Sequence, residues 1–331
     1  MESAFQSIDR IGTKILDGGE ASAEDGALLI GLTDPAAVRW LLAWGGRVRD
    51  RFRGDAVDLC AIVNAKSGRC PEDCAFCSQS ARYATGAEAY PLLDTAAILE
   101  AQERATAAGA VRFSLVISGR GPTEGPELDR LLEATSALAA PGRARTCASL
   151  GLLDERVARR LKEAGLKRYH HNLEAGPSFF PHICSTHSYQ DRVATIRAAQ
   201  AAGLEVCSGG IIGLGETADQ RLELGLELRR LGVDSVAVNI LDPIPGTPLA
   251  GVPPLPALEV LKTIAVYRVL MPAAEIRTCG GRERALRGLQ PLMFAAGASG
   301  TMTGDYLTTP GRESGTDARD VADLGMTVER L

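Results

Sequence analysis

Three cysteines crowd the stretch "AKSGRCPEDCAFCSQSARY" at residues 65–83, in the order Cys70-x3-Cys74-x2-Cys77. Thiolates are soft ligands, suited to zinc or to iron–sulfur clusters. A structural zinc site closes with four protein ligands, often as two CxxC knuckles. No Cys or His follows soon enough to complete one here, and the next cysteine is Cys147, so zinc would need a distant ligand. Three thiolates also suit a 4Fe–4S cluster with one iron left open, which can bind a small molecule and pass it an electron. Chance clustering in a loop is the weaker alternative, because free Cys is usually a buried residue.

These residues need a scaffold. The chain has 331 residues, 36 Lys plus Arg and 41 Asp plus Glu, giving a net charge of −5. That mildly acidic balance gives no reason to expect nucleic acid as a partner. The N-terminus carries scattered charges instead of the apolar run of a signal peptide, and no segment approaches eighteen consecutive apolar residues. A cytoplasmic protein is expected, in which the eight cysteines are ligands or free thiols instead of disulfides.

From residue 56 onward, short β-branched runs alternate with amphipathic stretches rich in Ala, Leu and Arg. Strands are predicted at 57–65, 110–118, 144–151, 166–174, 205–213, 235–242, 274–281 and, weakest, 298–304. The helix "SYQDRVATIRAAQAAG" between two of them opens on a Ser cap and closes on Gly. Eight strands mostly separated by helices predict an α/β fold, a TIM-type (β/α)8 barrel with an N-terminal helical extension. Residues 1–55 form the extension, and 56–331 the barrel with a short C-terminal tail. Such barrels place chemistry at the C-terminal ends of their strands, which is where Cys70, Cys74 and Cys77 fall.

Spacing, loop position and an aromatic residue before the last cysteine (Phe76) resemble the radical S-adenosylmethionine (SAM) superfamily. "GGIIGLGE" fits that superfamily's GxIxGxxE pattern through Gly209, Ile211, Gly213 and Glu216, whereas "SGRG" (118–121) matches only by position. "CPEDCAFCSQSARY", "HHNLE", "CSGGIIGLGE", "NILDPIPGTPL" and "LTTPG", in that order, are similar to the biotin synthase family over most of the chain. The resemblance implies sulfur insertion converting dethiobiotin to biotin. The 4Fe–4S cluster would bind SAM and cleave it to a 5′-deoxyadenosyl radical. Position by position, it implies Cys70, Cys74 and Cys77 as cluster ligands, and Phe76, Asn172, Glu174, Arg192, Ile211 and Ile212 as SAM contacts. His170, Asn172, Asn239, Thr308 and Thr309 would meet the substrate, although many members have Asn where His170 stands. His171 aligns with a family histidine. Taken singly, each of these residues has an ordinary explanation: strand termini for Asn172 and Asn239, a turn for Thr308-Thr309, a solvated helix Arg for Arg192. His182 and His187 read as loop residues, and Cys184 as a bystander.

The resemblance also implies a second, sulfur-donating cluster inside the barrel, held in many members by three Cys and one Arg. Cys147, Cys207 and Arg277 match those positions, but the third thiol is replaced by Ser114. Cys60 and Cys279 are two further cysteines in strands one and seven, and Cys147 and Cys207 fall in strands three and five. Alternate strands fill a barrel interior in layers of four, so these four thiols are expected in one layer. An auxiliary four-iron cluster on Cys60, Cys147, Cys207 and Cys279, beside Arg277 and Ser114, is therefore expected, with a 2Fe–2S cluster as the alternative. As buried small hydrophobes, Cys60 and Cys279 would instead be silent. An electron donor such as flavodoxin or ferredoxin and a homodimer follow from the resemblance alone. The competing readings are another radical SAM enzyme acting on a small substrate, and a structural or redox metal protein without SAM chemistry.

Overall fold

The computed structural model describes residues 2–313 and 315–331. Eight parallel strands run in sequence order: β1 (Ala56–Lys66), β2 (Arg112–Ile117), β3 (Arg145–Ser149), β4 (Arg168–His170), β5 (Glu205–Ile212), β6 (Ser235–Ile240), β7 (Glu275–Thr278) and β8 (Gly300–Met302). β1 pairs with both β2 and β8, so the sheet closes into the expected TIM-type barrel. Every residue of β2 is buried, as a strand covered by helices outside and side chains inside must be.

Several of the surrounding helices begin where side chains can satisfy their free N–H groups. Before α7 (Tyr189–Ala201), Ser188 and Asp191 form a reciprocal capping box. Thr217 and Gln220 do the same for α8 (Ala218–Leu231). Helices α1 (Ala4–Leu16), α2 (Ala23–Ile30) and α3 (Pro35–Arg53) precede the barrel. Buried Ile8, Ile11 and Ile15 of α1 and Val38, Leu41 and Val48 of α3 continue the barrel's hydrophobic core. No helix among the described residues is long and apolar enough to cross a membrane.

Two expectations need correction. The fourth strand is three residues long instead of nine: beyond His170 the chain still bonds β5, through His171 N to Cys207 O and Leu173 N to Gly209 O, but its pairing is irregular. Glu174 adopts a left-handed φ of 70° and forms only an isolated bridge to Gly210. β7 ends at Thr278, so Cys279 stands just beyond it, although Cys279 N still donates to Val238 O at 2.9 Å. Beyond 315 the C-terminal tail consists of helix α12 (Thr316–Asp323) and strand β9 (Thr327–Val328), and β9 pairs with the start of β1. Asp317 of α12 anchors it, receiving Arg282 at 2.8 Å and Arg312 at 2.7 Å.

Candidate active site

The loop after β1 is folded back on itself by its own backbone. Cys70 N donates to Gln79 O at 3.0 Å, and Ala81 N donates to Cys70 O at 2.8 Å. Within this frame Cys77 N bonds Cys74 O at 2.9 Å, which turns the three thiols together toward the barrel mouth. Asp73 fastens the loop to the segment after β4, accepting from Ser185 N at 2.9 Å and Thr186 N at 3.1 Å. Burial opposes ionisation there, but the Ser185 hydroxyl and N–H, with the Cys184 and Thr186 side chains, hold its carboxyl well below the usual range.

Cys70, Cys74 and Cys77 line one cavity of about 410 Å³, which continues down into the barrel. Phe76, His170, Asn172, Glu174, Arg192, Ile211, Asn239, Thr308 and Thr309 line the same cavity. Arg192 reaches from α7 to give Asn172 O a 2.9 Å bond, and its other nitrogen lies 3.9 Å from Cys74 Sγ. It stands 3.6 Å from the Glu174 carboxylate, which in turn accepts from Asn172 Nδ2 at 3.3 Å. Burial pushes the Glu174 carboxyl up in spite of Arg192. Asn239 is held from both ends, by Gly210 O at 3.3 Å and Gly280 N at 3.2 Å. Thr308, on the exposed rim, meets Ser78 Oγ at 2.8 Å.

The glycine pair of "GGIIGLGE" has a steric reason. A Cβ on Gly209 would lie 1.8 Å from Ala237 O, and one on Gly210 2.4 Å from Glu174 O. Neither backbone atom can yield. Side-chain alternation then sends Ile211 to the cavity and Ile212 into the hydrophobic core, so Ile212 has no access to a ligand. Glu216 also stays off the cavity; it accepts from Gly213 N at 2.8 Å and pairs with Arg221 at 3.2 Å.

Below the loop thiols, Cys60, Cys147, Cys207 and Cys279 all line the cavity, together with Ser114 and Arg277. Ser114 sits beside Cys147 in the β2–β3 ladder. Cys207 and Cys279 pack on Ala237 and Met302, and Met302 is the ladder partner of Cys60. Burial, with Cys147 adding to it, pushes the Cys60 thiol up to about 12. Burial acts on Cys207 too, but the adjacent His170, with Arg277 and Arg168, brings it down to about 6. His170 therefore stands against a thiol as well as on the cavity wall.

Beneath the thiols lies a buried ionic network. Asp58 receives Arg112 at 3.3 Å and Arg277 at 3.1 Å, and Arg168 reaches Glu275 at 3.3 Å. Burial would raise the Asp58 carboxyl, yet Arg277, Arg112 and Arg168 together lower it. Its stabilisation is in place above the ordinary carboxylate range, about pH 4, and is lost as pH falls through the lowered value. Arg277 also meets the buried Glu275 carboxylate, so Asp58→Ala removes one of its two acidic partners and the buried partner of Arg112, which costs about 3–5 kcal/mol. Chemical denaturation checks this, and a variant within about 1 kcal/mol of the parent would refute the network's role.

Arg277 Nε and Nη1 have no hydrogen-bond acceptor, whereas its Nη2 lies against the Asp58 and Glu275 carboxylates. Asn172 Oδ1 and Arg192 Nε are equally buried and unpartnered. Buried polar groups are normally satisfied, so orphans on one cavity wall point to an occupant. Two sets of thiols spread around that wall fit iron–sulfur chemistry. Among the described residues, neither set holds three sulfurs within 4.8 Å of one another, which speaks against a single zinc ion on either.

Three residues assigned no role by the sequence complete the loop's support. Glu72 accepts from Arg120 at 3.0 Å and Thr186 Oγ1 at 2.6 Å, and lies 2.5 Å from His187 Nδ1. Cys184 Sγ is 3.9 Å from Cys74 Sγ. Cys184 and His187 are buried instead of lying in an open loop. The available signal was a Cys and a His three residues apart, just ahead of the helix carrying Arg192.

Similarity to known proteins agrees with this geometry. Residues 65–228 match the Radical SAM superfamily model, and residues 237–327 match the Biotin and Thiamin Synthesis associated domain. The chain is 53% identical to biotin synthase of Desulforudis audaxviator, over 96% of this chain and 97% of the relative. It is 50% identical to that of Trichlorobacter lovleyi, over 98% and 97%. Methylornithine synthase shares the fold with a TM-score of 0.83 at 22% identity, covering 97% of each chain. The FeFe-hydrogenase maturase of Carboxydothermus hydrogenoformans does so at 0.81 and 18%, over 97% of this chain and 79% of its own. With relatives this similar along nearly its full length, the chain belongs to the biotin synthase family of radical SAM enzymes.

Proposed function

We propose that this enzyme converts dethiobiotin to biotin, with Cys70, Cys74 and Cys77 holding a 4Fe–4S cluster and Cys60, Cys147, Cys207 and Cys279 an auxiliary sulfur-donating cluster. The observation that carries the reading is one cavity lined by seven thiols, three in the loop after β1 and four on or beside the odd-numbered strands. The saturated C–H positions of dethiobiotin are not acidic enough for any side-chain base to deprotonate. Bound to SAM, the loop cluster supplies a 5′-deoxyadenosyl radical able to take hydrogen from such a carbon.

The chain's own groups bind and orient. Arg192, beside Cys74, offers its guanidinium to the SAM carboxylate, and Asn172 and Glu174 offer their polar atoms to the ribose. Ile211 and Phe76 give apolar surface to adenine. Asn239 faces the ureido ring, with His170 and Asn172 nearby. Four thiolates support a four-iron auxiliary cluster better than a 2Fe–2S cluster with a serine ligand, and Arg277 stands beside it as a charge partner. Electron supply by a flavodoxin or ferredoxin, a homodimer and a cytoplasmic location complete the proposal, as does the division into residues 1–55 and a barrel at 56–331.

Thr308 and Thr309 hold the substrate carboxylate through hydroxyl and backbone N–H groups. Losing hydrogen bonds to a charged group costs about 1.5–3 kcal/mol each. The Thr308→Ala/Thr309→Ala variant should bind dethiobiotin correspondingly more weakly by calorimetry; unchanged affinity would refute the assignment. For the whole reading, reconstituted protein supplied with SAM, reductant and dethiobiotin should yield biotin. A protein that loads its clusters and cleaves SAM without making biotin would direct the assignment to another small substrate.

A further inference from the structure

Cys184 and His187 lie outside the cluster ligand set, yet they form the tightest metal-ligand geometry in the described chain. Cys74, Cys184 and His187 are all buried, and their ligand atoms lie within 4.8 Å of one another. Cys74 Sγ and Cys184 Sγ are 3.9 Å apart. Cys184 Sγ is 3.3 Å from His187 Nδ1 and 3.7 Å from Nε2. Zn–S bonds of about 2.3 Å and Zn–N bonds of about 2.0–2.1 Å at a tetrahedral angle separate two sulfurs by about 3.8 Å, and sulfur from nitrogen by about 3.6 Å. The Cys74–Cys184 sulfurs and the Cys184 Sγ–His187 Nε2 pair stand near those separations, the remaining pair lies within 4.8 Å, and a small turn of the ring aims Nε2 at the shared centre.

The surroundings supply what a zinc ligand set needs. Glu72 Oε2 lies 2.5 Å from His187 Nδ1, the carboxylate–histidine arrangement that fixes a ring and leaves Nε2 for a metal. Cys74 and His187 both line the cavity, so water can reach the fourth position. Two neighbouring hydrogen bonds hold the pieces in place: Ala75 N donates to Ile183 O at 2.8 Å, and Ser185 N donates to the Asp73 carboxylate at 2.9 Å.

We propose that the cluster-free protein binds one Zn²⁺ through Cys74, Cys184 and His187, and that this ion and the 4Fe–4S cluster exclude each other. Binding releases the thiol protons and changes no oxidation state. The zinc site stands on geometry alone, whereas the exclusion rests on the reading that Cys74 also holds the cluster. A thiolate committed to zinc cannot ligate iron, so zinc would close the enzyme to cluster loading.

The test uses iron-free, reduced, full-length protein titrated with Zn²⁺ against a chromophoric chelator. Cys184→Ser and His187→Gln should each weaken the tightest zinc at least about 10-fold, an effect no smaller than that of losing an outer-shell partner. Cys77→Ser should leave it in place. Cluster loading of Cys184→Ser under zinc-free conditions shows that it folds, and its loading should resist added zinc while that of the parent is blocked. Parent-like zinc affinity in Cys184→Ser, or equal loss in Cys77→Ser, would overturn the site. Undiminished cluster loading of the zinc-bound parent would overturn the exclusion. Biotin formation in zinc-free buffer reports separately on the proposed function.

Discussion

Replacing any one of Cys70, Cys74 or Cys77 by Ala abolishes 5′-deoxyadenosine formation from SAM under a strong reductant. On the proposed reading all three thiolates would be needed to hold the cluster, and among the described residues only Cys74 stands in a close set of alternative ligands, with Cys184 and His187. Cys184 is near enough to Cys74 to offer a substitute sulfur, 3.9 Å away. The Cys74 variant is therefore the one expected to keep a trace of iron, displaced from its proper position and inactive. Comparing iron content with 5′-deoxyadenosine yield across the three variants checks this, and undiminished turnover in any of them would remove the loop from the chemistry.

The interior thiols should separate from the loop thiols in a second experiment. Cys207→Ala keeps SAM cleavage and loses biotin, because the loop cluster is untouched while the sulfur source is gone. In a Cys70→Ala/Cys74→Ala/Cys77→Ala background, one four-iron cluster should remain by iron and sulfide analysis. Adding Cys60→Ala or Cys279→Ala should strip or convert it. Ser114 cannot rescue the site, since a neutral hydroxyl is a poor ligand for iron beside thiolates. A 2Fe–2S spectrum unchanged by both additions would exclude the four-thiolate site and leave Cys60 and Cys279 as small apolar side chains.

The barrel was legible because its βα units carry local signals: β-branched runs throughout and, at α7 and α8, a Ser or Thr cap with a closing glycine. Element ends were less so. Residues 171–174 look like strand and do stay bonded to β5, but Glu174 takes a left-handed φ of 70° and pairs with Gly210 only as an isolated bridge, an interruption that no local pattern announces. The same holds for β9, whose two residues become a strand only by pairing with β1. At the site, the cysteine loop was read from spacing, and the SAM and substrate contacts from resemblance. Ile212 was taken with its neighbour Ile211, although alternation puts them on opposite faces. Glu72 carried no sequence signal, and Cys184 and His187 read as a bystander and a loop residue, because the contacts that join the loop after β1 to the segment before α7 span more than a hundred residues.

The central claim is that a radical made from SAM in this cavity takes hydrogen from dethiobiotin. The most direct measurement supplies reconstituted protein with SAM, reductant and dethiobiotin deuterated at its two reacting carbons, and reads the 5′-deoxyadenosine by mass spectrometry. Deuterium transferred into the 5′-deoxyadenosine, alongside biotin, is the predicted result. 5′-Deoxyadenosine formed at full yield with no deuterium would contradict it.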